Sequence, residues 1–393
     1  MVSSPAGEVI LRPGRDRSVR RRHPWVLSGA VAEQNGSGEP GVWVSVRSAE
    51  GEPLGHGHYS PKSDIRVRMF HFGKEAPPES WLAERITEAI AWRQNHPLLA
   101  KTDATRLVNA EGDGLPGLVV DRYADVVVIR PSAAGMLTRG EELAQAVRDA
   151  TGAACGLLRD DTRAARREGL PPRQATLWGE SPSAPVTIRE RGRSYRVDVR
   201  SGQKTGFYLD QREARDLVAS LARGRRVLDL FSYTGGFALA AAAGGAEHVT
   251  VVDSSKQALG LAEEQLSGLS TETDLVCGDA FRFLREGDER FDLLVVDPPP
   301  LARRKSEVAR STRGYKDLLL HALRRTTPGG QVLAFSCSHH VGPDLFLKVA
   351  FGASLDAGRP VQILRTLEAP ADHPVSIDHP EGRYLTGLLM RVP

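Results

Sequence analysis

One stretch of the chain, residues 226–237, limits what the sequence can fold into. An apolar run contains Asp229 and leads through a polar turn into Gly235 and Gly236, after which an alanine-rich run follows. This order predicts a buried strand, a tight loop and a helix. The glycines let the backbone pass close to a ligand because no Cβ stands in the way, and the start of the helix offers unpaired N–H groups.

A carboxylate follows at a spacing typical of nucleoside-binding sites. The next predicted strand, 248–252, is followed by Asp253, which lies 24 positions after Asp229. An acid about 20 residues beyond the first strand commonly hydrogen-bonds a ribose diol. The phosphate-cradling G-x-G-x-x-G sequence is missing, so a nicotinamide-dependent oxidoreductase is the poorer interpretation. The pattern favours a different cofactor that carries a nucleoside.

Strands and helices alternate in the last part of the chain. Strands are predicted at 227–231, 249–252, 274–276, 291–296 and 331–335, with helices at 256–266, 280–285 and 315–325. Such alternation predicts a parallel sheet with helices on both faces. Two further strands, 361–367 and 383–390, have no predicted helix between them, so we expect them to form an antiparallel pair.

Polar side chains stand where these strands end, which is where open α/β sheets bind ligands. Asp253 can hold ribose hydroxyls, and Asp279 can accept a hydrogen bond from an adenine amino group. Asp297 is followed by three prolines, so its carboxylate stands on a rigid segment that suits the binding of a flat base. For each single aspartate the alternative is a helix N-cap.

The first 72 residues predict a small β-rich module with concentrated positive charge. The whole chain has 393 residues, which predicts two or three domains. Its net charge of only +3 does not by itself indicate nucleic-acid binding, so the distribution of the charge matters. Arginines nevertheless cluster just before Trp25, at positions 12, 15, 17, 20, 21 and 22. Clustered arginines beside a flat aromatic suit a phosphate backbone and a stacked base. The alternative is a solvated basic loop with Trp25 in the core.

The cysteines and the N-terminal sequence indicate in which cellular compartment the protein is expected. Cys155, Cys277 and Cys337 form no C-x-x-C pair, so neither a disulfide framework nor a zinc site is indicated, and no acid spacing resembles a metal site. The N-terminus has no apolar signal region, and no apolar run approaches the ~20 residues that span a membrane. We expect a cytoplasmic protein without a membrane anchor or a metal.

Several motifs, taken together, resemble the class I S-adenosylmethionine-dependent methyltransferases. More closely, the chain resembles the bacterial large-subunit ribosomal RNA cytosine-5 methyltransferases with an N-terminal PUA domain. The matching strings are HPWVLSGA (23–30), LPGL (115–118), KTGFYLDQR (204–212), FSYTGGF (231–237), DPP (297–299), RGYKD (313–317), FSCS (335–338) and ADHP (371–374).

The resemblance implies an α/β fold with a Rossmann-like class I methyltransferase domain at residues 186–393. A β-rich PUA domain at 1–72 and a central α+β domain at 73–185 precede it. The implied partner is large-subunit ribosomal RNA, and a homodimer is compatible with the sequence.

The resemblance also implies site residues, with S-adenosylmethionine as the cofactor. The implied catalytic residues are Cys337 and Asp297. The implied cofactor-binding residues are Gln211, Asp229, Phe231, Ser232, Tyr233, Gly235, Asp253, Asp279 and Asp297. The implied RNA-binding residues are Arg20, Arg21, Arg22, Trp25 and Lys204.

Two positions depart from common patterns in such enzymes. Phe231 and Tyr233 occupy places where the loop usually has glycines, which suggests more aromatic contact with the cofactor. Pro300 stands where many RNA cytosine-5 methyltransferases carry a second cysteine. Cys337 is then the remaining candidate nucleophile, and Cys155 and Cys277 are interpreted as structural.

The expected mechanism follows from cytosine chemistry. Carbon 5 is too weak a nucleophile to take a methyl group directly, and addition of a thiolate at carbon 6 makes it nucleophilic. His339 or His340 near Cys337 would favour the thiolate, and Asp297 would hydrogen-bond the ring edge. The base that removes the carbon 5 proton is not identifiable.

Three alternatives stay open from the sequence. Cys337 can be an inert, buried thiol. A related family with a similar FSYTG loop methylates guanine N7, which needs no thiol. The chain can also be an RNA-binding ribosome assembly factor that has lost catalysis.

Overall fold

The computed structural model describes residues 5–302 and 304–393. The chain forms two compact units: Met1–Leu209 with Ala371–Gly382, and Asp210–Pro370 with Arg383–Pro393. The expected boundaries after residues 72 and 185 do not coincide with this division, and the three-domain partition stays a prediction. Within the described ranges, no helix combines the length and the apolar character needed to cross a membrane.

The first unit begins with a sheet of short strands around one apolar cluster. Across the described residues this sheet has six strands in the order β2-β6-β5-β4-β1-β3. Alternation buries Val44 and Val46 on one face of a strand, as expected for a half-buried strand. The elements are β1 (Gly7–Leu11), α1 (Arg17–Arg20), β2 (Trp25–Leu27), β3 (Val31–Gly36), β4 (Trp43–Arg47), β5 (Pro53–Tyr59) and β6 (Ile65–Phe72).

The same unit contains a second sheet, whose described strands run in the order β11-β10-β9-β8-β7, and a separate hairpin. Helix α2 buries an apolar stripe that includes Leu82, Ile86 and Ile90, as its periodicity predicts. The elements are α2 (Trp81–Gln94), β7 (Ala104–Asn109), β8 (Leu118–Tyr123), β9 (Val126–Pro131), α3 (Ala134–Leu137), α4 (Gly140–Thr151), β10 (Cys155–Arg159), α5 (Thr162–Glu168), β11 (Gln174–Trp178), β12 (Val186–Glu190) and β13 (Arg193–Val197).

The second unit is a doubly wound α/β fold. Its described strands run in the order β16-β15-β14-β17-β18-β20-β19. The elements are α6 (Arg212–Leu221), β14 (Arg226–Leu230), α7 (Gly236–Ala243), β15 (His248–Asp253), α8 (Lys256–Leu266), β16 (Glu272–Cys277), α9 (Ala280–Glu286), β17 (Phe291–Val296), α10 (Val308–Arg324), β18 (Thr326–Ser336), α11 (Pro343–Ala357), β19 (Gln362–Leu367) and β20 (Thr386–Arg391).

The pairing of these strands confirms the fold class predicted from the sequence. Strands β16, β15, β14, β17 and β18 pair in parallel, and β20 is antiparallel to both of its neighbours. The antiparallel pair at the end of the chain is therefore confirmed. Helix α11 was not predicted, although Pro343 at its first turn is a common start signal.

Strand β14 lies in the interior of this sheet. Val227, Leu228 and Leu230 are fully buried there, and β15 and β17 pair with β14 on either side. A parallel strand covered on both faces needs such an apolar run. This position brings the loop after β14 next to the carboxyl ends of both neighbours.

Candidate functional site

The loop that follows β14 has an unusual backbone. Phe231, Tyr233 and Gly235 all have positive φ, at 58°, 51° and 75°. Two of them are not glycine, and such a conformation costs on the order of 1–3 kcal/mol for an ordinary residue. The Phe231 ring packs edge-on against Phe281, with 6.0 Å between the ring centroids. The loop therefore keeps the geometry that glycines would allow, and aromatic packing supports it.

Gly235 is required by space as well as by conformation. A Cβ on this residue would lie 2.9 Å from the Cβ of Ala262. Helix α7 begins at the next residue, so its first N–H groups lie directly behind the loop. Glycine at this position therefore lets the loop pack closely against Ala262 of α8.

Asp229 is a buried carboxyl with one oxygen available. It is 0% exposed, and its Oδ2 accepts a hydrogen bond from the Ala238 N–H at 3.0 Å. Its Oδ1 has no hydrogen-bond partner among the described residues. Burial raises the pKa of Asp229 well above its usual range, and the charges of Asp297 and Asp253 raise it further.

Three more buried polar atoms around the loop lack a partner within the described ranges: Gln211 Oε1, Ser232 Oγ and Thr234 Oγ1. An unpaired buried polar group costs free energy unless a ligand or water satisfies it. This set fits a polar ligand such as S-adenosylmethionine. Thr234 was not predicted as a site residue, although its place within the FSYTGGF string was a usable signal.

The two aspartates after β15 and β16 both bind backbone groups. Asp253 accepts from the Tyr233 N–H and the Ser255 N–H, both at 2.8 Å, so it holds the loop in place. Asp279 is exposed and accepts from the Arg282 N–H at 2.8 Å, which makes it the N-cap of α9. Contacts of these carboxylates with a ribose and an adenine stay predictions.

Asp297 and Cys337 follow neighbouring parallel strands, β17 and β18. The Cys337 thiol lies 3.5 Å from the Pro298 carbonyl oxygen. Cys337 as a whole residue is partly exposed. Gln211 donates to Asp297 Oδ2 at 3.0 Å. The sheet thus brings a thiol next to the Asp-Pro-Pro turn, on the same edge as the loop after β14.

A buried hydroxyl network lies beside Cys337. The Tyr315 hydroxyl lies 3.1 Å from Ser338 Oγ, and Ser336 Oγ donates to the Tyr315 hydroxyl at 3.4 Å. Both serines flank Cys337, so Tyr315 holds that turn. Sequence reasoning did not predict Tyr315 as a site residue, although it lies in the RGYKD string. The His339 ring packs 6.0 Å from the Tyr384 ring.

The predicted RNA-binding arginines are not equivalent. Arg20 forms ion pairs with Asp16 at 2.6 Å and with Glu52. Arg21 and Arg22 are exposed, and the Arg22 guanidinium lies 5.9 Å from the centroid of the Phe72 ring. The positive charge of Arg20 is largely neutralised by two carboxylates.

Trp25 and Lys204 both lie in the first unit, each against a neighbour. The Trp25 indole N–H donates to Glu111 at 2.8 Å, and its ring lies 4.5 Å from the His379 ring. The Lys204 ammonium lies 4.4 Å from the centroid of the Tyr208 ring. Trp25 is thus partly covered, so it offers less ring surface for stacking than the sequence suggests.

Comparisons with known proteins agree with this architecture. The family described as S-adenosylmethionine-dependent methyltransferase matches residues 164–391, and a PUA-like domain matches residues 9–72. The chain is 41% identical to ribosomal RNA large subunit methyltransferase I of Alteromonas mediterranea, over 98% of this chain and 99% of that protein. The protein of the same name from Klebsiella pneumoniae is 38% identical over the full length of both chains.

Solved structures share the fold across nearly the whole chain. A Streptococcus mutans protein described as a SAM-dependent methyltransferase superposes with a TM-score of 0.82 at 22% identity, and the match covers 98% of this chain and all of that one. A methyltransferase structure complexed with SAH gives a TM-score of 0.83 at 23% identity with the same coverage.

Proposed function

The chain belongs to the S-adenosylmethionine-dependent methyltransferase family, and from that premise we propose that it methylates carbon 5 of a cytosine in large-subunit ribosomal RNA. Relatives named for large-subunit ribosomal RNA match it end to end, which supports the choice of RNA. The position of Cys337 is the observation that carries the choice of atom. The homodimer and the cytoplasmic location stay predictions.

The loop after β14 and its neighbours are the residues that would hold the cofactor. Asp229 Oδ1, Ser232 Oγ and Gln211 Oε1 supply buried acceptors. Asp253 accepts a hydrogen bond from the Tyr233 N–H and so fixes the backbone of the loop. It also follows the second strand at the spacing typical of an acid that binds a ribose. When bound, S-adenosylmethionine supplies an electrophilic methyl group.

Cys337 and Asp297 are proposed to act on the base. Cys337 is a partly exposed residue whose thiol lies beside the Pro298 carbonyl, and this position at the carboxyl edge of the sheet supports its reaction with a pyrimidine. Asp297 is bound by the amide of Gln211, which limits the directions its carboxylate can point. The neighbouring Tyr315 network holds the turn that carries the sulfur.

The proposed reaction at the cytosine begins and ends with Cys337 as a thiolate. The thiolate forms a bond to carbon 6, and the electron pair of the carbon 5–carbon 6 double bond makes carbon 5 nucleophilic. After carbon 5 has gained the methyl group, a base removes its proton. The double bond then forms again, the carbon–sulfur bond breaks, and Cys337 returns to a thiolate.

Cofactor binding is expected to depend on pH through Asp229. In the free protein, burial raises the pKa of Asp229, so its carboxyl keeps a proton to a higher pH than an exposed aspartate does. The cofactor is cationic, and a nearby cation favours the carboxylate, so binding should release a proton. The affinity for S-adenosylmethionine should therefore rise with pH, by up to about tenfold per pH unit. The rise should begin above pH 3.8, the usual pKa of an aspartate, and end once the pH exceeds the raised pKa of Asp229 in the free protein.

Calorimetry in two buffers with different ionisation enthalpies measures this proton release. Asp229→Asn can still accept from the Ala238 N–H but cannot ionise, so it should bind more weakly and without proton release. Equal binding enthalpies in both buffers for the natural protein would contradict the role given to Asp229.

A map of modified nucleosides tests the reaction itself. Large-subunit ribosomal RNA from a strain that lacks this protein should have lost 5-methylcytidine at one position, and the purified protein with S-adenosylmethionine should restore it. Mass spectrometry of nuclease fragments identifies the base and the position. Loss of 7-methylguanosine would instead support the guanine-N7 alternative, and no affinity for S-adenosylmethionine would support the assembly factor.

A further inference from the structure

Cys337 lies between two serines that are much more deeply buried than the cysteine itself. Ser336 is 0% exposed and Ser338 is 2% exposed, whereas Cys337 is partly exposed. Side chains of an extended chain alternate between its two faces, so both serines point into the unit and the thiol lies against the Pro298 carbonyl. A buried hydroxyl costs free energy unless it is hydrogen-bonded, so the partners of these serines explain why they are there.

Ser338 connects two loops that follow neighbouring strands of the sheet. Its Oγ accepts a hydrogen bond from the Ala302 N–H at 3.3 Å. Ala302 lies in the loop after β17, Ser338 lies in the turn after β18, and these two strands pair in parallel. This hydrogen bond therefore links the loop that begins at Asp297 to the turn that carries Cys337.

Tyr315 of α10 extends this link into the core. Its hydroxyl lies 3.1 Å from Ser338 Oγ and accepts a hydrogen bond from Ser336 Oγ at 3.4 Å. Its ring packs edge-on against Phe346 of α11, with 5.5 Å between the ring centroids. Burial raises the pKa of Tyr315, so its hydroxyl keeps the proton that it can donate to Ser338.

The distance between the two loops matters for the proposed reaction. Asp297 and Cys337 would have to reach the same pyrimidine ring, one at its edge and the other at carbon 6. The ladder between β17 and β18 ends at the pair Val296 and Ala334, so contacts between side chains and backbone hold the loops beyond it. A misplacement of about 1 Å can slow a reaction by about 100-fold.

We propose that Ser338 is a positioning residue, which sets the place of the Cys337 thiol relative to Asp297 through its bonds to Ala302 and Tyr315. The serine is buried and takes no part in the bonds that form and break. This inference rests on the proposed function, because it takes the nucleophile and the pyrimidine from it.

The rate of covalent capture tests this role. An excess of full-length protein with S-adenosylmethionine is mixed with large-subunit ribosomal RNA that carries 5-fluorocytidine, and the covalent complex is measured over time. Ser338→Ala should slow capture by about 10-fold to 100-fold. Its affinities for the RNA and for S-adenosylmethionine should stay within about twofold of the natural values, since a purely structural serine would change stability without this separation.

A second variant tests whether Ser338 and Tyr315 act together. Tyr315→Phe removes the hydroxyl and keeps the ring, and it should slow capture by a similar factor. Because both changes break the same network, the double variant should be slower than the slower single variant by less than about threefold. Effects that multiply in the double variant would contradict a shared network.

Thr250→Val is the matched control. Thr250 lies in β15 and is 3% exposed, and its Oγ1 has no hydrogen-bond partner among the residues that the structure describes. The change removes a buried hydroxyl from the same sheet and keeps the branched shape, so capture should stay within about twofold of the natural rate. Equal capture rates for Ser338→Ala and Thr250→Val would overturn the proposal.

Alkylation of Cys337 separates this proposal from the proposed reaction. Iodoacetamide is added without RNA, and peptide mass spectrometry gives the labelling rate at Cys337. Ser338→Ala should raise this rate by at least about threefold, because a turn that has lost its link opens more often. If the natural protein captures no RNA but Ser338→Ala is labelled faster, the proposed reaction fails and the link between the loops stands. If the natural protein captures RNA and Ser338→Ala changes neither rate, the positioning role fails and the reaction stands.

Discussion

Replacing Cys337 with alanine is expected to reduce methyl transfer to ribosomal RNA by at least about 1,000-fold, because carbon 5 then has no nucleophile to activate it. The affinity for S-adenosylmethionine should stay unchanged, since the acceptors proposed for the cofactor lie in the loop after β14 and on Gln211. Transfer of a labelled methyl group measures the first quantity and calorimetry measures the second.

A second thiol provides the control for this variant. Cys277 is exposed at the end of β16, an edge strand of the sheet, and Cys277→Ala should keep activity within about twofold. RNA that carries 5-fluorocytidine should trap the natural protein as a covalent complex, because carbon 5 then has no proton to lose. The Cys337→Ala variant should form no such complex, and full activity in that variant would end the covalent mechanism.

The largest expected loss of stability comes from Asp121→Ala in the first unit. Asp121 is fully buried, and Arg106 donates to its two oxygens at 2.8 and 3.0 Å. Thr205 also donates to Asp121, and the Tyr123 hydroxyl lies 2.8 Å from Thr205 Oγ1. Removing the carboxylate leaves the Arg106 guanidinium in a mostly buried site without its charge partner, which should cost about 3–5 kcal/mol.

Tryptophan fluorescence during urea unfolding can measure this loss. The five tryptophans of the chain lie at positions 25 to 178, so their emission reports on the first unit. Asp125→Ala is the control, since Asp125 is 84% exposed and lies 3.8 Å from Arg122. We expect it to change the free energy of unfolding by less than about 0.5 kcal/mol. A loss below about 1 kcal/mol for Asp121→Ala would contradict the role of the buried pair.

Much of the fold of the second unit could be predicted because its signals are local. Each parallel strand is a short apolar run, and each helix between them has its own period, so the alternation is visible without any long-range contact. Helix α8 and strand β17 have the bounds that were predicted, 256–266 and 291–296. Helix α11 escaped prediction because it is mostly apolar and lacks a clear polar face.

The site was partly predictable for the same reason. Strand ends can be located in a sequence, and parallel strands bring their carboxyl ends to one edge, so Asp253, Asp297 and Cys337 could be grouped in advance. Tyr315 and Thr234 were missed, because a hydroxyl becomes informative only once its burial and its partners are known. Asp229 was predicted as a cofactor-binding residue, but its raised pKa could not be predicted because it depends on complete burial.

The sequence by itself determined the order of strands and helices, the loop after β14 and the presence of arginines near Trp25. Only the tertiary structure decided which of these arginines keep an unpaired charge, because Glu52, which pairs with Arg20, lies 32 positions away. It also decided that Ala371–Gly382 belongs to the first unit. The physical reason is that ion pairing and burial depend on distances in space, and residues far apart in the chain set those distances when the core packs.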